Sequence, residues 1–515
     1  MQIRPVLVTM ATTVSLLGEA THAQQPLAAI DWLTPEPQST TLPETILLEP
    51  PVTKTARRPE ITVKPLKSLP QPIGLVSAAA TGLPMDLWSG SSPEDLTRLL
   101  ATVRVTDSPA MQSLLFTLLL SEARAPEEDD DQLLLARLDR LMDLGATDPA
   151  QALAEQAGPT QSPARFQRWF DASLLTGDED RACAALLRMP HLAPSYAERI
   201  FCDARLGDWT TAALLLESAH TLNLLPEAEL NLLDRFLNPD VFEFAPPPSA
   251  PDTVRPLTFR LFESIGEPLP TTNLPRAFAA ADLRDIAGWK AQLEAAERLV
   301  HIGALHPNQL LGLFSERKPA ASGGVWDRVS ALQRFETALK SGSSEAVAKT
   351  LPTAWVAVKQ SGIETGFAEL FADALTQFNL TGSAAELAWR VRLLAPEYEL
   401  AALLPPSGGA NNDFLTAVAM GKDVAAEAQP ALTPVQGAIS RAFAADAPQT
   451  EVPTHLRQKI ESGRLGEAIL QAMVLFDQGS DGNWSALSSA LATFRLVGLE
   501  DTARRAALQL AILER

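Results

Sequence analysis

Arg165–Leu225 reads RFQRWFDASLLTGDEDRACAALLRMPHLAPSYAERIFCDARLGDWTTAALLLESAHTLNLL. The pattern predicts two helical hairpins in tandem. Each has an amphipathic helix, a turn at Gly177-Asp178 or Gly207-Asp208, and a second Ala/Leu-rich helix. Apolar residues recur three and four apart, the spacing that puts them on one face of a helix. The same phrase occurs elsewhere. Gly145, Gly177 and Gly207 each precede an alanine by five residues: Ala150, Ala182 and Ala212. It returns as Gly463 with Ala468 and Gly498 with Ala503. Glycine closes a first helix in a left-handed cap, and alanine on the second helix lets two backbones approach. Periods near 30 residues mark stacked helical pairs.

Composition agrees with this. The chain has 515 residues, 46% hydrophobic, with Ala and Leu dominant and only 2 Tyr. Ala and Leu favour helices, whereas the residues that fill strands are scarce. No run of alternating strand pattern is evident. The fold class expected is all-α: stacked helical hairpins, an α-solenoid, behind a Pro-rich disordered N-terminal linker. The formal net charge of −20 repels nucleic acid and anionic membrane surfaces.

The N-terminus reads as a secretory signal. Arg4 precedes an apolar run, Pro5–Leu17, and Thr21-His22-Ala23 offers small residues at a cleavage site. The mature chain is expected to begin after Ala23, to be exported to the periplasm, and to have no transmembrane segment. Residues 24–73 read as a linker, with nine prolines between Thr34 and Pro72 and a basic cluster of Lys54, Arg57, Arg58, Lys64 and Lys67. A helical-repeat domain is expected over 74–237, a linker over 238–257, a middle helical domain over 258–404, and a C-terminal repeat domain over 405–515. Ser92-Pro93-Glu94-Asp95 is a helix start with a hydroxyl cap. Helices are predicted over Met111–Ala123, Gln132–Leu144, Phe259–Ile265, Pro275–Ala281, Ile286–Ile302, Pro307–Glu316 and Val325–Lys340. The acidic run Glu127–Asp131 reads as a cap for the helix after it.

Few residues carry chemistry. Cys183 and Cys202 are the two cysteines, placed on consecutive antiparallel helices; a disulfide there would add about 3 kcal/mol. The alternative is a pair of buried thiols. Arg317, Lys318 and Arg328 flank a flexible loop beside Trp326 at a helix N-terminus, a candidate anion or partner site. The alternative there is an ordinary interhelix loop whose cations pair with the acidic surface. Ser315-Glu316-Arg317-Lys318 matches S-x-x-K, but the companion phrases of that chemistry are absent. Asp477–Ser488 lacks two ligands of a calcium loop and reads as a helix cap. His301 and His306 are five apart, not the spacing of a helical zinc pair. No catalytic residue, metal site or cofactor is expected.

Gly207–Ala212, with Ala219 seven residues on, resembles the second half of the tetratricopeptide unit; Ala150 with Ala157 and Pro159 matches in part. Pro226 falls two residues later than that family's closing proline, and its first-helix aromatic pattern is missing. The resemblance implies a tetratricopeptide-like α-solenoid binding a protein or peptide on a concave surface. The function expected is therefore a non-enzymatic periplasmic scaffold or adaptor of the bacterial cell envelope. The alternative is a peptidoglycan-metabolism protein, because the Ala/Leu-rich hairpins also look similar to the superhelical part of lytic transglycosylases. Glu461-Ser462 is followed by GRLGEAILQAM, without that family's Gly-rich Met-Gln segment, which argues against activity. The chain also resembles Ala-rich exported bacterial proteins labelled antifreeze polyprotein, but it lacks the Thr repeat an ice-binding face needs.

Overall fold

The computed structural model describes residues 71–127, 129–407, 410–423 and 432–513. The signal segment, the cleavage site after Ala23 and the basic cluster Lys54–Lys67 lie outside these residues. Among the described residues there are 26 α-helices. The extended pairing is limited to two isolated bridges, Ile73 with Ala123 and Val76 with Ser121. No helix among the described residues is long and apolar enough to cross a membrane.

The first part runs α1 (Ala78–Thr81), α2 (Pro93–Thr102), α3 (Pro109–Leu120), α4 (Gln132–Leu144), α5 (Thr147–Gln156), α6 (Pro163–Thr176), α7 (Glu179–Arg188), α8 (Tyr196–Arg205), α9 (Trp209–Thr221) and α10 (Glu227–Leu237). α2 starts at its capping phrase: Ser92 Oγ accepts from the Asp95 N–H at 3.2 Å. α3 stops at Leu120, three residues short of the expected end. Ser121 and Ala123 turn extended to form the bridges. Buried Arg137 then donates to the carbonyls of Leu119, Ser121 and Ile73, which satisfies the helix end and holds the two extended pieces together. The acidic run does cap α4: Asp129 Oδ1 accepts from the Leu133 N–H at 3.0 Å.

Arg165–Leu225 folds as two hairpins. Gly177 has φ 86°, a left-handed conformation that lets its N–H reach Ser173 O at 2.9 Å and close α6. Five residues on, Ala182 is fully buried. Gly145, Gly207, Gly463 and Gly498 share the positive φ. Ala150, Ala212, Ala468 and Ala503 share the burial, at 2% exposure or less. The repeat phrase therefore does what its residues require at all five copies.

The middle comprises α11 (Pro256–Ser264), α12 (Ala279–Asp282), α13 (Trp289–His301), α14 (Pro307–Glu316), α15 (Val325–Lys340), α16 (Ser344–Ser361), α17 (Glu364–Leu375) and α18 (Gly382–Leu393). The six-proline stretch before it is anchored to the first part. Arg235 donates to Pro246 O, and Arg255 donates to Glu198 Oε1 on α8 at 2.6 Å. The core of the middle gathers around Phe335, whose ring lies 5.3 Å from both Phe367 and Phe371.

The last part is α19 (Tyr398–Ala402), α20 (Ala410–Ala419), α21 (Pro434–Phe443), α22 (Ala447–Thr450), α23 (Thr454–Glu461), α24 (Leu465–Ser480), α25 (Trp484–Leu496) and α26 (Glu500–Leu513). These helices bring the array back to its start: α24 packs on α2, and α26 packs on α3. The Gly466 N–H donates to Leu87 O at 3.0 Å. The Ala110 N–H donates to Gln509 Oε1 at 2.8 Å, across 399 positions of sequence. Trp88 is fully buried in this seam. Contacts gather Ser68–Arg515 into one compact unit.

Candidate functional site

Closure of the array leaves a cavity of about 440 Å³ where α3, the α13–α14 turn, α17 and α26 converge. Its apolar wall includes Phe116 and Leu120 from the first part, Val300 and Leu305 from the middle, and Leu394 and Pro396 further on. Gly303, in the α13–α14 turn, has φ 77°, a left-handed conformation that glycine takes without strain, and lies beside Phe116 and Gln112.

The polar part of the lining is sparse and individually oriented. Gln112 is 3% exposed and Gln509 is 5% exposed. Gln112 Nε2 donates to Thr106 O at 2.7 Å. A carbonyl can only accept, so the amide is fixed with its nitrogen on that side. Gln509 is fixed the opposite way, because its Oε1 accepts from the Ala110 N–H. Among the described residues, Gln112 Oε1 and Gln509 Nε2 have no hydrogen-bond partner. Arg505 also lines the cavity. Its guanidinium makes no hydrogen bond there, and the nearest carboxylate oxygen, on Asp501, lies 3.9 Å away. Asp501 is itself held by the Tyr398 hydroxyl at 2.9 Å. His306 and Glu369 form another part of the lining. His306 Nδ1 accepts from the Asn308 N–H, so Nε2 carries the proton that faces Glu369 Oε1 at 3.2 Å.

Cys183 on α7 and Cys202 on α8 are joined by a disulfide, with Cα atoms 4.9 Å apart. Both are fully buried. The loop residues singled out in the sequence are not brought together as one site. Arg317 turns back onto Glu316, at 2.8 and 2.9 Å. Trp326 packs on Trp289, with ring centres 5.1 Å apart. Arg328 makes a two-point pair with Glu297 on α13. Burial raises the Glu297 carboxyl above its usual range, and the hydrogen bond from Arg328 opposes that. Lys318 is exposed and lies beyond the end of α14, so no helical turn links it to Ser315, which donates instead to Glu336. Asn483 accepts from the Ala486 N–H at 3.2 Å, so this turn caps α25. Among the described residues no three of His, Cys, Asp or Glu converge to hold a metal ion.

Sequence reasoning passed over the cavity residues. A signal was nonetheless present: Gln112 in PAMQSLLFTLLL and Gln509 in AALQLAIL are lone amides within apolar helices. An amide placed there needs partners. Comparison of the chain with protein-family models, with curated proteins and with solved structures finds no match.

Proposed function

We propose that the chain is a non-enzymatic, exported helical-repeat adaptor, tetratricopeptide-like in build, that holds a protein or peptide partner in the bacterial cell envelope. The observation that carries this reading is the set of exposed apolar side chains on α9, on the turns either side of it and on the stretch after α10. Leu206, Trp209, Leu214, Leu222, Val241 and Phe244 are all exposed, Leu214 at 66% and Phe244 at 93%. Only Ala212, Leu216 and Ala219 of α9 are buried. The ring of Trp209 lies 6.0 Å from Phe236, which ties this surface to α10. Scattered apolar residues on a surface are ordinary, but six large ones within Leu206–Phe244 mark this stretch as an interaction site. An amphipathic helix or apolar strand of a partner fits it.

The test is crosslinking and affinity recovery from intact envelopes with the mature chain. One specific envelope protein is expected, and Trp209→Ala with Leu214→Ala should lower its recovery about tenfold, the scale of losing a central aromatic anchor. Turnover of isolated peptidoglycan would overturn the non-enzymatic reading. Binding to peptidoglycan without turnover, unaffected by the two substitutions, would favour the cell-wall alternative.

A further inference from the structure

We propose that the cavity at the closure binds the end of a short peptide through its free C-terminal carboxylate. Arg505 takes the carboxylate. Gln112 Oε1 accepts from a peptide N–H, and Gln509 Nε2 donates to a peptide carbonyl. The proposal deepens the adaptor reading and rests on it for the choice of a peptide over another amide-bearing acid.

Three observations converge on it. The two glutamines are more than nine-tenths buried, and each has one end of its amide satisfied by the backbone and the other end open. Both open ends stay within reach of solvent, so a ligand that supplies one acceptor and one donor takes the place of water at each. A peptide unit is such a ligand. Arg505 is the second observation: it lines the cavity without a hydrogen bond of its own, and a guanidinium matches a carboxylate at two points. The body around it is acidic. Residues 1–70 hold six basic and six acidic side chains, so the whole net charge of −20 belongs to the rest of the chain. Arg505 is the arginine on this lining, and its one ion pair, with Asp501 on its own helix, is long at 3.9 Å, which leaves its hydrogen-bonding face for an anion. Glu369 on the same lining disfavours ligands with a second carboxylate. The third observation is size: about 440 Å³ lies within the range of small-ligand pockets, room for on the order of two to three residues. The apolar wall of Phe116, Leu120, Val300 and Leu394 suits small or aliphatic side chains.

The test is equilibrium dialysis of the full chain against a synthetic pool of tripeptides with free carboxylates and, separately, the same pool as C-terminal amides. Retained peptides are read by mass spectrometry. Free acids should concentrate on the protein side, and the amides should bind about tenfold more weakly, the loss of one charge-assisted pair. Arg505→Ala should erase that difference, and its melting temperature should stay close to the parent's because the ion pair it loses, with Asp501 at 3.9 Å on the same helix, is long and partly exposed. Ser113→Trp, an exposed position of α3 on the lining, should block both pools. Equal retention of acids and amides, no retention of either, or an unchanged preference in Arg505→Ala would each overturn the proposal. A chain that holds no tripeptide yet still recovers its envelope partner through Trp209 defeats the cavity proposal and leaves the adaptor reading standing. Tripeptide retention without any envelope partner does the reverse.

Discussion

The outer hairpins and the middle ones use the same backbone device with different side chains. In the outer hairpins a left-handed glycine is followed five residues later by a buried alanine, as at Gly177 with Ala182 and Gly463 with Ala468. The middle keeps the glycine but not the alanine. Gly342 and Gly362 also have positive φ, and the residues five positions on are buried Val347 and Phe367. Side-chain size then sets how the helices are held. α24 and α25 come so close that a Cβ on Gly479 would lie 2.6 Å from the Leu487 Cβ. In the middle the space between helices is filled by rings, with Phe335, Phe367 and Phe371 in mutual contact. The buried residues divide accordingly. One cluster runs through both outer parts, across the seam and into α11 and α18, and a second occupies the rest of the middle and reaches Leu513 of α26. Close backbones and bulky fillers are two solutions to one packing problem, and they should fail in different ways.

The largest effect is expected in the middle. Phe335→Ala removes a fully buried ring and should cost about 3–5 kcal/mol, read by urea unfolding. If the two clusters melt as one, the whole transition moves; an early separate phase would show that the middle is its own folding unit. Next comes the covalent link in the first part. Cys183→Ser with Cys202→Ser should cost about 3 kcal/mol, and reduction of the parent should match it. At the seam, Gly466→Ala tests the need for close approach directly. Alanine is the better helix former by about 1 kcal/mol. Its Cβ would sit 2.4 Å from the Trp88 ring and 2.9 Å from Leu87 O, so overpacking of about 1–3 kcal/mol should outweigh that gain. Hydrogen exchange should rise in α2 and α24 together. A stabilised variant would show that the seam is looser than the outer hairpins.

A pH-dependent effect concerns Asp171 on α6. Burial raises its carboxyl to about 7; Arg255 lowers it and Glu198 raises it further. Between an ordinary aspartate value and about 7, the folded chain holds a proton that the unfolded chain has lost. This group's contribution to stability therefore falls as pH rises through that window and levels off above it. Asp171→Asn should flatten that slope and raise the melting temperature slightly at pH 8. An unchanged slope would exclude Asp171 as its source.

Local structure was largely readable from the chain. Gln132–Leu144, Pro307–Glu316 and Val325–Lys340 form as helices with the expected bounds, because each is bracketed by local signals: an aspartate cap, a proline at the first position, a glycine before the start. Met111–Ala123 was overextended, because the pull on Ser121 and Ala123 comes from Ile73 and Val76, which no helical periodicity reports. Middle copies of the glycine device were hidden by Val347 and Phe367. The cavity was out of reach for a further reason. Gln112 and Gln509 meet only because α26 returns to α3, and no local pattern encodes a contact across that distance. The loop Arg317–Gly324 shows the converse: adjacency in sequence suggested a site, while the partner that claims Arg328 sits on α13.

The seam also bears on how the chain is made. An open stack of hairpins needs a polar cap at each end; here each end covers the other. α3, PAMQSLLFTLLL, buries seven of its twelve residues, and part of that burial is against α26. During synthesis, α3 emerges long before its cover exists. Closing so long a loop is not prohibitive, since the entropic cost grows only with the logarithm of its length. Until the last turn of α26 is in place, however, the first helices present an apolar face with nothing on it. Loss of the final helix should therefore be felt at the opposite terminus, as a newborn chain that holdases recognise and proteases find.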